Sequence, residues 1–163
     1  MDKKKTLAFS LSQEELFVVL SYLKVNALLG LDGAVLSELS DEQARLIMGL
    51  AERALIARSF LIRGANNRLQ LEQAILAVVG ACAVPETSMI ITRNYPGLPT
   101  EAYFFHTARK MVVVHTVPIT AIHQFIMLED KTAMGKAALS VLALGSQTAP
   151  KCPSGQMPEA LVT

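Results

Sequence analysis

The apolar positions of this chain change period part-way along. Up to about residue 85 they recur mostly at helical spacing; from 88 to 128 they crowd into short runs of strand-favouring residues. Two helix starts are written in side chains. Ser12-Gln13-Glu14-Glu15 is a capping box: the Ser12 hydroxyl accepts from the Glu15 amide and the Glu15 carboxylate reaches back, with Leu11 and Leu16 at the staple positions. It predicts a helix over 13–24 that buries Leu16, Val19, Leu20 and Leu23. Gly30, Asp32 and Gly33 then break the chain. Ser40-Asp41-Glu42-Gln43 is a second box, opening the longest helix, to about 58, with Ile47, Leu50, Ala54 and Leu55 on one face.

A short strand at 6–10 leads the first helix. Residues 60–63 and 68–71 flank the turn-forming cluster Gly64-Ala65-Asn66-Asn67. That stretch is either a hairpin or one strand running into a helix over about 71–83, which Pro85 ends. Four strands follow, at 88–93, 101–107, 111–117 and 121–128, with Tyr95-Pro96-Gly97-Leu98-Pro99 forming a rigid loop tip. Links this short make the strands antiparallel. A closing helix occupies about 132–144.

The pattern therefore predicts an α+β fold: a four- to five-stranded antiparallel sheet packed with helices, in which a helical N-terminal half precedes a β-meander and a closing helix. Residues 1–144 read as a single domain. The segment 145–163, with three prolines and several small polar residues, reads as a flexible tail. In the strand at 111–117, Val112 and Val114 point one way while Met111, Val113 and Val117 point the other. Both faces are apolar, so the sheet needs a cover on each side: helices on one, and the remaining helix, a second subunit or a ligand on the other.

Composition sharpens this. Of 163 residues, 52% are hydrophobic and 18% charged, and the mean hydropathy is +0.38. Such a chain carries apolar surface that calls for a partner or a second copy. A net charge of +1 provides no general field to steer nucleic acid or anionic membrane. The longest near-continuous apolar run, 74–84, is half the roughly 20 residues of a membrane span, so no membrane association is expected. Lys3, Lys4 and Lys5 precede an apolar stretch too short for a secretory signal. Cys82 and Cys152 lack metal-site spacing and read as reduced thiols of a cytoplasmic protein.

Three stretches are candidates for chemistry. All three histidines fall in the strand-rich region. If the turn at Arg109-Lys110 is tight, His106 falls opposite Val113 and shares a face with His115. If the next turn centres near Ile119, His115 lies across from His123. That face would hold three imidazoles, a ligand set for zinc or another divalent metal, but no Asp or Glu is evident beside it. Structural histidines, bonded to backbone or to neighbours such as Thr107 and Thr116, are the competing and preferred reading. Second, the order helix, turn, helix, hairpin over 45–68 resembles a winged helix, with Arg58, Arg63 and Arg68 placed to meet phosphates and Asn66 and Asn67 at the wing tip. Cations at 53–58 equally suit a helix C-terminus. Third, Tyr95, Leu98, Tyr103 and Phe105 form an aromatic and apolar set from which a partner could be bound. Phosphate loops, dinucleotide fingerprints, nucleophile elbows and H-E-x-x-H are all absent from the sequence.

Phe9-Ser10-Leu11-Ser12-Gln13-Glu14-Glu15-Leu16, the helix around Ala51-Glu52-Arg53-Ala54-Leu55, and the run from 69 to 85 entering the strand at 88–94 together resemble one half of the EspG-type chaperones of type VII (ESX) secretion. The resemblance covers roughly 6–128. It implies a cytoplasmic, non-enzymatic binder that holds an exposed apolar tip of a secreted partner with an antiparallel sheet and helices. Those chains consist of two similar halves, so a homodimer would restore the second half here. The function expected is thus a chaperone-like, protein-binding module without a cofactor, acting on a partner protein with an exposed apolar segment and forming a homo-oligomer. The alternative is a winged-helix-like nucleic-acid-binding regulator, and a third is a metal-binding protein using the sheet histidines.

Overall fold

The computed structural model describes residues 7–94, 97 and 99–142. Strand β1 (Ala8–Ser12) runs directly into α1 (Gln13–Leu23), and a short α2 (Ala34–Ser37) precedes α3 (Asp41–Ala57). A hairpin of β2 (Leu61–Arg63) and β3 (Leu69–Leu71) leads to α4 (Gln73–Ala83). The meander β4 (Thr87–Arg93), β5 (Glu101–Ala108), β6 (Met111–Ile119) and β7 (Ile122–Leu128) follows, and α5 (Lys131–Leu142) closes it. The main sheet is five-stranded, ordered β1-β7-β6-β5-β4, and every pairing in it is antiparallel. The α+β class, the helices preceding a meander and the closing helix all stand as the sequence predicts.

Both capping boxes form. Ser12 Oγ accepts from Glu15 N at 3.2 Å while Glu15 Oε2 accepts from Ser12 N at 2.9 Å; Ser40 and Gln43 repeat the exchange at 3.3 and 2.9 Å. Each box satisfies two amides at a helix start that the helix itself leaves orphaned. The first box is also a tertiary anchor. Arg58 Nη1 donates to both Glu15 oxygens at 2.9 and 2.8 Å, and Nη2 donates to the Ser10 carbonyl. One guanidinium thereby ties the end of α3 to β1 and the start of α1, lying 4.4 Å over the Phe60 ring.

The sheet is covered on both faces. On one, Leu11, Val113 and Phe125 pack against Leu16, Val19 and Leu20 of α1 and Ile75, Val78 and Val79 of α4. On the other, Ile91, Phe105 and Val114 pack under Ala138 of α5, with Met134 and Val141 beside them. Of the three covers open to the second face, the chain's own last helix is the one seen.

Three expectations need correction. The leading strand lies two residues later than 6–10, since β1 pairs with β7 from Ala8 to Ser12. The α3 face is rotated: Ala51 and Leu55 are buried, whereas Leu50 is 52% exposed and Ala54 also faces outward. The 3.6-residue spacing defines a stripe but leaves open which of two overlapping stripes meets the core. Finally, the stretch between Gly30 and Ser40, read as a break, contains the single turn α2. Of the two readings of 60–71, the hairpin is the one adopted.

Candidate functional site

The β5–β6 register places His106 opposite Val113, as the tight turn at Arg109-Lys110 requires. The β6–β7 register differs from expectation: His115 stands opposite Phe125, not His123. The physical reason is a bulge. Ile119 pairs with Ile122 around the tight turn, and that register continued unchanged would send His123 to the opposite face from His115. An irregularity between Thr116 and Ile119 absorbs one residue and restores the parity. All three histidines thus share the face packed by α1 and α4, with His123 diagonal to His115.

The result is a layer of near-parallel rings. His115 lies at its centre, with centroids 4.7 Å from Phe125, 5.2 Å from His123, 5.4 Å from Phe104 and 6.4 Å from His106. His115 Nε2 and His123 Nδ1 share a hydrogen bond of 2.9 Å. His106 Nδ1 shares one of 2.9 Å with Ser88 Oγ, from the residue directly opposite on β4. The histidines are therefore bonded to Ser88 and to each other, not to the threonines expected. His106 Nε2 and His115 Nδ1 are buried without a hydrogen bond.

Burial dominates the electrostatics. It lowers all three imidazoles below their ordinary range. For His115 the positive charge that His123 and His106 would carry adds to it, holding the ring at about 3 against a smaller opposing effect of the Leu29 backbone. The rings are neutral near neutral pH. Two features set this layer apart from a metal centre: a pair of its nitrogens is spent on the His–His bond, and no group of three or more His, Cys, Asp or Glu among the described residues could hold a metal ion.

His123 also borders a cleft of about 970 Å³ between the first turn of α1, the loop before α2 and the β6–β7 turn. Glu14 and Asp32 line it beside Glu101, Tyr103 and Phe104. Gln13 fixes the loop: its Nε2 donates to the Asp32 carbonyl at 2.7 Å, and its backbone N–H donates to the Ala121 carbonyl at 2.8 Å. Gly30 lets that loop close on Phe104, because with φ at +82° a Cβ there would stand 2.5 Å from the ring. Glu14 is the carboxylate that sequence reading did not find. It opposes the lowering of the His123 pKa, and its only signal was its place in the first turn of a capped helix.

The other candidate residues fall apart from this layer. Phe105 is 1% exposed beneath α5, so it is core and not a partner anchor. Tyr103 is half-buried beside it, with its hydroxyl donating to Glu101 Oε2 at 3.0 Å. Tyr95 and Leu98 lie outside the described residues, as do Cys152 and the segment 145–163. Arg58 is occupied by Glu15 and Ser10. Arg63 Nη1 donates to Asn67 Oδ1 at 3.2 Å within the hairpin, and Arg68 is exposed on it. Cys82 is a buried free thiol whose pKa burial pushes up. No helix among the described residues is long and apolar enough to cross a membrane. No protein-family model matches the chain, and no curated protein matches it.

Proposed function

We propose that this chain is a non-enzymatic, chaperone-like protein-binding module that takes an extended apolar segment of a partner protein along β4. One observation carries the reading: β4 ends the sheet as a seven-residue strand whose Met89 and Ile90 are 37% and 52% exposed. An edge strand aims alternate N–H and C=O groups outward, ready to pair with an added strand, and apolar side chains on it supply selectivity. The opposite edge is treated differently, since Arg58 caps the Ser10 carbonyl of β1. The resemblance to half of an EspG-type chaperone points the same way, and the buried free thiol of Cys82 suits a reducing, cytoplasmic setting.

The test is amide exchange on the chain with a partner co-purified from its native host. Protection confined to β4, with the partner released by Ile90→Lys, supports the reading. A partner retained by that variant, with β4 exchange unchanged, defeats it.

A homo-oligomer through the same edge is a second reading, favoured by the self-complementary run Thr87-Ser88-Met89-Ile90-Ile91-Thr92-Arg93. Antiparallel pairing about Ile90 sets Met89 against Ile91 and Ser88 against Thr92 of a second copy. Sedimentation would report a dimer that Ile90→Lys dissociates. A monomer at all concentrations removes this second reading and leaves the first standing.

A further inference from the structure

Helix α3 carries two apolar stripes, and the fold buries only one of them. The buried stripe holds Ala51 and Leu55, which lie about 140° and about 180° round the helix axis from Leu46. Leu46 itself is 62% exposed, and Leu50, one turn on and about 40° round, is 52% exposed. Ala57 continues the strip, and it too is exposed. A lone surface leucine needs no cover, but two on successive turns, diametrically opposite the core, make an apolar strip. The helix packs on α1 and β2, away from β4, so this strip is a separate surface from the sheet edge.

The charges beside the strip select both its occupant and the orientation. Glu42 stands in the first turn of α3 and Arg53 near the other end, on the same flank. Among the described residues neither meets an opposite charge within the molecule. A second α3 laid parallel would set Glu42 against Glu42 and Arg53 against Arg53. Laid antiparallel, with Leu46 level with Leu50 of the other copy, it sets Arg53 level with Gln43 and one residue, about 1.5 Å of rise, from the level of Glu42. The twofold axis repeats this pairing at the opposite end, and the two helix dipoles then oppose each other favourably. Gly49 keeps the flank low. A Cβ there would meet Arg53 Nη1 at 4.0 Å, which places the guanidinium along the strip, where a facing helix can reach it. The strip and its charges are thus complementary to themselves once inverted.

We propose that two copies of this chain associate through α3, packed antiparallel about a twofold axis, with Leu46 against Leu50 of the other copy and Arg53 beside its Glu42. The contact is one helix against one helix, smaller than the roughly 1,200 Å² of a standard stable interface, so the dimer is a weak one, with a Kd of about 10–100 µM.

The experiment is sedimentation equilibrium of the full chain from about 5 to about 500 µM, a range that brackets that affinity. A monomer–dimer equilibrium is expected. Glu42→Arg and Arg53→Glu each set like charges face to face and should weaken it at least about tenfold, whereas the double exchange restores opposite charges and should return it to within about threefold of wild type. Leu46→Gln with Leu50→Gln should leave a monomer. All four positions are exposed, so an unchanged circular dichroism spectrum is expected of every variant. A wild-type monomer at about 500 µM overturns the proposal, as does a double exchange no stronger than its singles. A dimer that survives every α3 variant but is lost in Ile90→Lys also overturns it, and assigns the contact to β4. Capture of a partner's apolar segment on β4 does not depend on α3, so failure here leaves that reading standing.

Discussion

His115 and His123 share a 2.9 Å hydrogen bond between Nε2 and Nδ1 although they are not paired residues of the sheet; the residue opposite His115 is Phe125. The bond is diagonal, made across one register step, and it joins two neutral rings inside an aromatic layer.

That neutrality makes stability pH-dependent. The ordinary imidazole pKa is 6.5; burial lowers it in all three rings, to about 3 in His115. The unfolded chain binds protons below about 6.5 that the folded chain refuses. Stability is therefore complete above that value and is lost as pH falls toward 3. His115 alone should account for about 2 kcal/mol between about pH 6.5 and about pH 5. Urea unfolding at the two ends of that window checks this, and equal midpoints would contradict it.

Replacing both partners of the His–His bond should cost less than the two single replacements added together. His115→Leu leaves His123 Nδ1 buried without its partner, at about 1–3 kcal/mol. Adding His123→Leu removes the orphaned group, so the double variant should be at least about 1 kcal/mol more stable than the sum of the singles. Strict additivity in chemical denaturation would show that the bond contributes nothing.

Arg58 should prove a structural residue. Its guanidinium is 40% exposed, but the Glu15 carboxylate it meets is only 8% exposed and also caps α1. Arg58→Ala leaves that carboxylate without its cation, and exposure of the arginine moderates the loss to about 2 kcal/mol. Thermal or urea unfolding reads it directly. A loss under about 0.5 kcal/mol, with weakened affinity for duplex DNA, would instead favour a phosphate-binding arginine.

Two glycines should respond with opposite sign. Gly30→Ala forces a side chain into φ +82° and into the Phe104 ring, and should destabilise by about 1–3 kcal/mol. Gly135→Ala lies inside α5 with open space around it and should stabilise by about 0.8 kcal/mol. A Gly30→Ala variant as stable as wild type would mean that the loop over Phe104 moves freely away.

What the residues determined alone is local. Ser12 and Glu15, like Ser40 and Gln43, lie within one turn of each other, so their exchange of hydrogen bonds depends on no distant part of the chain. The same holds for the tight Arg109-Lys110 turn, which fixed His106 against Val113, and for the two-sided apolar character of β6 that called for a second cover. Tertiary structure decided everything that hung on a single-residue shift. The bulge between Thr116 and Ile119 keeps His123 beside His115. The rotation of α3 turns Leu50 outward and Ala51 inward, and the return of α5 buries Phe105. It also brought Ser88 to His106 and Glu14 to His123, partners far apart in the chain. Strand period and helix stripe specify alternation but not phase, and phase is set by whichever register lets the whole core close.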